Sequence, residues 1–313
     1  MCTLGTELPT PKIDDRPADM PGYIVYASYG DNSFLSIYRI QPNGTQQRLL
    51  VPGKVGGRGS HQPHVSPDGK QIAFNTYQYS GWKFAIADLD GKNMRRVTKT
   101  PLYEYDPVWH PDGKQLVCNQ VITEGPPYFR GHREIVLVDV ATGERRVLTH
   151  NEGRNTNPSF SPDGKSIVWD SAAAGNYDIW LMDADGKNQR NLTNTSEHDL
   201  VPSFSPDGKR IAFQRVAKDS LDLWVMNADG SNPINLTGAR KLGYHLANSK
   251  ENLHWKLNTD WSPDGRYVVF VSGEKENGAL NLNLYVAAVD GSTVARLTQT
   301  KGDAIQPVWV VGP

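Results

Sequence analysis

Two histidines and a glutamine fall within four residues in the glycine-rich stretch GRGSHQPH at residues 57–64. Imidazole is the commonest protein ligand for zinc, manganese or iron. His61 and His64 are therefore candidate metal ligands, with Asp106 or Asp260 able to add a hard oxygen. A metal there would acidify the proton α to a uronate carboxylate, and a basic side chain would remove it. Without a metal, the same groups are hydrogen-bonding contacts at a ligand site, and the glycines beside them let the backbone approach a ligand closely. No Gly-x-Ser-x-Gly elbow is present to build a Ser-His-Asp hydrolase, so no catalytic residue is assigned.

The elements that must position these residues are written in a repeat. Four copies of Ser-Pro-Asp-Gly start at Ser66, Ser161, Ser205 and Ser262, and a His-Pro-Asp-Gly variant starts at His110. An alternating run follows each of them: QIAFN, QLVCN, SIVWD, RIAFQ or YVVFV. A second apolar run then ends in a glycine turn, as in IWLMDADG and LWVMNADG, and a short strand closes the unit on VT or LT. Alternation over four to eight residues predicts strands, and Pro-Asp-Gly predicts a tight corner between them. Each unit is thus a four-stranded antiparallel meander, with strands A and B on either side of Pro-Asp-Gly, C before the glycine turn and D last.

The two ends of the chain complement each other. Residues 22–28 read as a strand B with no strand A before it. Residues 305–311 read as a strand A with no strand B after it. Joining them in one blade closes a ring, so the predicted fold is all-β: a six-bladed β-propeller without free edges between its blades.

The PxWSPDGxxIxF, IxxMxxDG and LT signature, repeated with this closure, resembles the TolB-like propellers with their WD-like repeats. The resemblance covers residues 22–313 as one domain behind a flexible tail at 1–21. It implies a bacterial, extracytoplasmic protein that serves as a docking platform. TolB itself carries an additional N-terminal α/β domain, which the short tail does not match, so TolB's cell-envelope role is not carried over. The motifs build the blade and do no chemistry. A His/Gln-liganded manganese at the propeller mouth would be similar to the oligogalacturonate lyases. That pattern draws on further histidines in later blades, where His198, His245 and His254 are only loosely placed, and it uses seven blades where six are read here.

With 33 Lys and Arg against 34 Asp and Glu, the chain lacks the basic excess of a nucleic-acid binder. No apolar run reaches the length of a membrane-spanning helix. Cys118 lies in an apolar run and is expected to be a buried thiol. Cys2 follows the first Met, and its lipidation would make a membrane tether; the reading is otherwise of a monomer. The basic clusters at residues 92–96, 143–146 and 187–190 fall on or before strand D, where they guard the outer edge of each blade.

The departures from the repeat mark the working surface. The corner motifs are spaced by 44, 51, 44 and 57 residues. The extra residues fall between strands B and C of the third blade (121–134) and in the D-to-A connection before the sixth (238–258). A meander places both connections at one end, the upper face. The residues leading into each strand A should ring the upper mouth of the central tunnel, and polar types dominate there. The candidate ligand-binding residues are His61, Gln62, His64, Trp82, Tyr105, Asp106, Asn157, His198, His245, His254, Trp255, Asp260 and Gln306. The expected ligand is a peptide segment or an oligosaccharide. No cofactor is assigned, and a divalent metal on His61, His64 and Asp106 is the alternative.

Overall fold

The computed structural model describes residues 16–30, 34–53, 59–122, 132–151, 153–217, 220–238, 242, 256–276, 279–300 and 302–311. Six four-stranded antiparallel sheets are arranged as the repeat predicts. Blade 1 joins β24 (Ala304–Val310) to β1 (Tyr23–Ser28), then β2 (Ser36–Ile40) and β3 (Arg48–Val51). The C-terminal strand A therefore pairs with the N-terminal strand B, and the ring closes as expected. Blade 2 holds β4 (Ser60–Val65), β5 (Gln71–Thr76), β6 (Lys83–Asp88) and β7 (Arg95–Arg96). Blade 3 holds β8 (Glu104–Trp109), β9 (Gln115–Val121), β10 (Arg133–Asp139) and β11 (Arg145–Val147).

Blade 4 runs through β12 (Asn155–Phe160), β13 (Ser166–Ser171), β14 (Asp178–Asp183) and β15 (Arg190–Asn191). Blade 5 comprises β16 (His198–Phe204), β17 (Arg210–Ala217), β18 (Ser220–Asn227) and β19 (Ile234–Asn235). Blade 6 comprises β20 (Thr259–Trp261), β21 (Tyr267–Glu276), β22 (Ala279–Ala288) and β23 (Val294–Arg296). The apolar clusters lie between successive blades: Ala73, Phe84 and Ile86 of blade 2 pack with Leu116, Cys118 and Val136 of blade 3. Cys118 is buried, as its apolar run implies.

The repeated residues have one task each. In the Ser66 corner, Ser66 Oγ donates to Asp68 at 2.6 Å and accepts from the Gln71 N–H at 2.9 Å. Gly69 turns through a φ of +71°, a conformation that costs an L-residue roughly 1–2 kcal/mol. His110 keeps the corner by accepting from the Asp112 N–H at 3.2 Å, and it also reaches the Gly164 carbonyl of the next blade at 3.2 Å. The tryptophan of the signature ties blades together. Trp109 donates its indole N–H to the His64 carbonyl at 3.2 Å, and Trp261 donates to the Ser203 carbonyl at 3.1 Å. The closing threonine accepts a strand-C N–H: Ile179 to Thr193 at 2.9 Å and Leu284 to Thr298 at 2.9 Å.

Candidate functional site

The residues leading into the inner strands share an unusual backbone. Gln62, Asp106, Asn157, Val201 and Gln306 all adopt left-handed φ values between 48° and 54°, and each precedes a proline. The pairing register slips there, between His61 and His64, Tyr105 and Val108, Thr156 and Ser159, and Leu200 and Ser203. Proline has no N–H to give to a ladder, so a bulge is the place for it. Blade 6 departs from the rule: it carries Asn258-Thr259 and no proline. There the Thr259 hydroxyl donates to the Val201 carbonyl of blade 5 at 2.7 Å.

The bulges are stitched into a belt around the tunnel. Gln306 accepts from the Gln62 N–H at 2.9 Å, and Gln62 accepts from the Asp106 N–H at 3.2 Å. Asp106 in turn accepts from the backbone of Asn157 and from the Asn119 amide. Asp170 continues the belt, accepting from the Asn157 amide at 2.7 Å, the Thr156 hydroxyl and the Val201 N–H at 2.8 Å. Asp260 closes the far side by accepting from the backbone of Trp261 at 2.9 Å and Trp309 at 2.7 Å. Burial raises all three carboxyls: Asp106 to about 6, Asp170 to about 7 and Asp260 to about 7. For Asp106, the Arg133 charge opposes that rise.

The belt leaves little room within it. Gln62, Asp106, Asn157, Asn258, Asp260 and Gln306 surround a throat of about 70 Å³, enough for a few waters and too small for a peptide or sugar. Below it the tunnel widens to a funnel of about 570 Å³ between the corner turns, lined by Phe204, Trp261, Trp309 and Arg39. Sequence reasoning missed this lower funnel, because its walls are the same aromatic and Pro-Asp-Gly residues that build every blade.

Above the belt, the side chains of the upper face form an arc. His61 is 4% exposed and meets Trp82 edge to face at 4.5 Å. Tyr77 meets the same indole at 5.3 Å, and Tyr105 lies 6.5 Å from it. The Arg133 guanidinium sits 4.8 Å over the Tyr105 ring. Farther round, Tyr177 contacts His198 at 5.9 Å and donates its backbone N–H to His198 Nδ1 at 3.2 Å. Arg133 and Arg154 bridge backbone to backbone, and both charges reach the Tyr177 hydroxyl.

Of the sequence candidates, the structure thus gathers Gln62, Asp106, Asn157, Asp260 and Gln306 in the belt and Trp82, Tyr105 and His198 in the arc. His64 lines the throat and accepts from the Trp109 N–H at 3.4 Å. His245, His254 and Trp255 lie outside the described residues, as does Cys2. Asp170, Arg133, Arg154 and Tyr177 were missed. Asp170 had a signal in the polar residue that ends the runs QIAFN, QLVCN, SIVWD and RIAFQ, and Arg133 had one in the blade 3 insertion.

The metal alternative needs His61, His64 and Asp106 to converge. Among the described residues, no group of three or more His, Cys, Asp or Glu side chains could hold a metal ion. Burial depresses His61 to about 3 and His64 to about 4, leaving both imidazoles neutral. The Asp106 carboxylate is already engaged by Asn119 and Asn157. Among the described residues, His61, His64 and Asp106 thus form no such group, and no step is routed through a metal.

Comparison with known proteins agrees with this architecture. Residues 126–250 match the TolB beta propeller domain family. TolB from Acinetobacter baumannii superposes with a TM-score of 0.74 at 21% identity, over 94% of this chain and 68% of that one. The chain is a six-bladed β-propeller, similar in fold to TolB. An oligogalacturonate lyase in complex with manganese resembles this TolB-like propeller with a TM-score of 0.59 at 18% identity, over 93% of this chain and 76% of that one. At such identities the likeness is one of fold. An uncharacterized Agrobacterium fabrum protein is 30% identical over 174 residues, which is 53% of either chain. The TolB-like propeller spans between a quarter and about half of the length of such sequence relatives.

Proposed function

We propose that this TolB-like propeller is a non-enzymatic docking platform that holds an extended peptide segment of a protein partner across its upper mouth. The observation that carries the reading is the arc from Tyr77 and Trp82 through Tyr105 and Arg133 to Tyr177 and His198. It stands on a belt whose polar groups are bonded to one another. Loops carried on a rigid scaffold are a usual place for binding residues, and aromatic groups supply contact area at low entropic cost.

An oligosaccharide would need open ring faces, but Arg133 covers Tyr105, and Trp82 meets His61 and Tyr77 at 75° and 78°. A peptide instead uses ring edges, hydroxyls and a guanidinium together. The TolB resemblance supports an extracytoplasmic location for such a platform, and lipidation of Cys2 would tether it to a membrane.

Panning a random 12-residue peptide display library on the wild type and on Trp82→Ala tests the reading. Peptides enriched on the wild type are expected to lose at least tenfold in affinity on the variant, while its melting temperature falls only slightly. In parallel, the protein purified without chelator is assayed for metal by plasma mass spectrometry and for cleavage of uronate oligosaccharides. Stoichiometric manganese together with unsaturated product would replace the docking reading with an enzyme.

A further inference from the structure

We infer that the upper mouth is built to receive a carboxylate, and that the partner segment it docks is an acidic peptide whose Asp or Glu side chain lands on Arg133. The inference rests on the docking reading and adds the chemistry of the ligand. Its starting point is a contrast between two arginines of the upper end. Arg215 is spent: its guanidinium binds the buried Asp199 carboxylate at 2.7 and 2.8 Å and lies 4.6 Å over Trp224. Arg133 has no such carboxylate among the described residues. Its guanidinium lies on the Tyr105 ring, and its Nε is buried without a hydrogen-bond partner there.

The belt acids do not supply the missing partner. Asp106 is engaged by Asn119 and the Asn157 backbone, and Asp170 by Thr156, Asn157 and Val201. Both are locked in the belt below, and the Asp106 charge attracts the guanidinium without bonding to it. Beside Arg133 stand Arg154, which bridges its backbone, and the Tyr105 and Tyr177 hydroxyls, which are within reach of its charge. A planar guanidinium backed by an aromatic ring, with hydroxyls beside it, presents a fork to a carboxylate.

The test uses the full chain and the same display library, panned on the wild type, Arg133→Ala, Arg133→Lys and the outer-edge control Arg146→Ala. Wild type and control are expected to select peptides rich in Asp and Glu. A synthetic peptide from that pool should bind Arg133→Ala at least tenfold more weakly and Arg133→Lys at an intermediate level, because lysine keeps the charge and loses the fork. Its Glu→Gln counterpart should lose a similar factor on the wild type, and raised salt should weaken only the acidic form. Circular dichroism and thermal melting check that each variant is folded.

Selection of neutral or basic peptides that still need Trp82 would overturn the carboxylate inference and leave the docking platform standing. Failure to select any peptide, with trigalacturonate binding lost in Arg133→Ala, would overturn both.

Discussion

The inner strands of this propeller have two ends that solve the same problem in opposite ways. At the lower end, the corner that starts at Ser66 recurs at Ser161, Ser205 and Ser262 with the same residues and the same bonds. At the upper end, Gln62, Asp106, Asn157, Val201 and Gln306 share one backbone conformation but not one side chain. The corner is a local structure, so each copy needs its own Ser, Asp and Gly. The bulge is satisfied by the neighbouring blade, so what each position requires depends on its neighbour. Repetition therefore marks what a blade does for itself, and variation marks what the blades do for each other and for a ligand.

The sharpest way to break that comparison is Asp170→Ala. It strips the acceptor from Val201, Asn157 and Thr156 at once, and leaving buried donors unpaired should cost about 3 kcal/mol or more in chemical denaturation. A loss below about 1 kcal/mol would mean that water or another group takes over and that the belt is not structural.

The Asp170→Asn variant adds a pH axis. Burial raises Asp170 from its ordinary 3.8 to about 7. Its protonated form thus contributes stability that is complete below pH 3.8 and lost as pH rises through 7. Asparagine has no such loss, so the gap in stability between wild type and variant should narrow as pH rises from about 4 to about 7. His61 and His64 work in the other direction: their contribution is present above their ordinary 6.5 and lost as pH falls toward 3 or 4. They are the same in both proteins and cancel in the difference.

Gln62→Ala should have a smaller effect, about 1 kcal/mol, because the Asp106 N–H that it releases also has Asn75 Oδ1 at 3.1 Å. The smallest change, about 1 kcal/mol and so at the low end of the roughly 1–2 kcal/mol that this conformation costs an L-residue, is expected for Gly69→Ala. The left-handed φ penalises alanine, but nothing lies within 4 Å of the added methyl. If Gly69→Ala proved more damaging than Asp170→Ala, the ranking of the two ends would be inverted.

The same contrast explains what the sequence revealed. The blades were legible because Pro-Asp-Gly, the strand-A tryptophan and the LT threonine act within a unit or on its immediate neighbour, and they recur. The ring closure was legible because residues 305–311 supply the strand missing before residues 22–28. The belt was half legible: its polar positions could be placed at the mouth, but the left-handed bulge shows only as a proline one residue later. Asp170 hid at the end of SIVWD, which reads as a core strand. Arg133 opens β10 at the end of the blade 3 insertion, so only the insertion announces it, and Tyr177 stands just before β14, where no local pattern marks it.

On the proposed function, a partner docks on the upper arc and not in the roomier lower funnel. Hydrogen–deuterium exchange with a selected acidic peptide tests it most directly. Exchange is expected to slow at residues 77–82, 103–106, 132–133 and 176–178 and to stay unchanged in the corner turns. Protection confined to residues 204–206, 261–263 and 308–311 would place the ligand in the lower funnel and contradict the account.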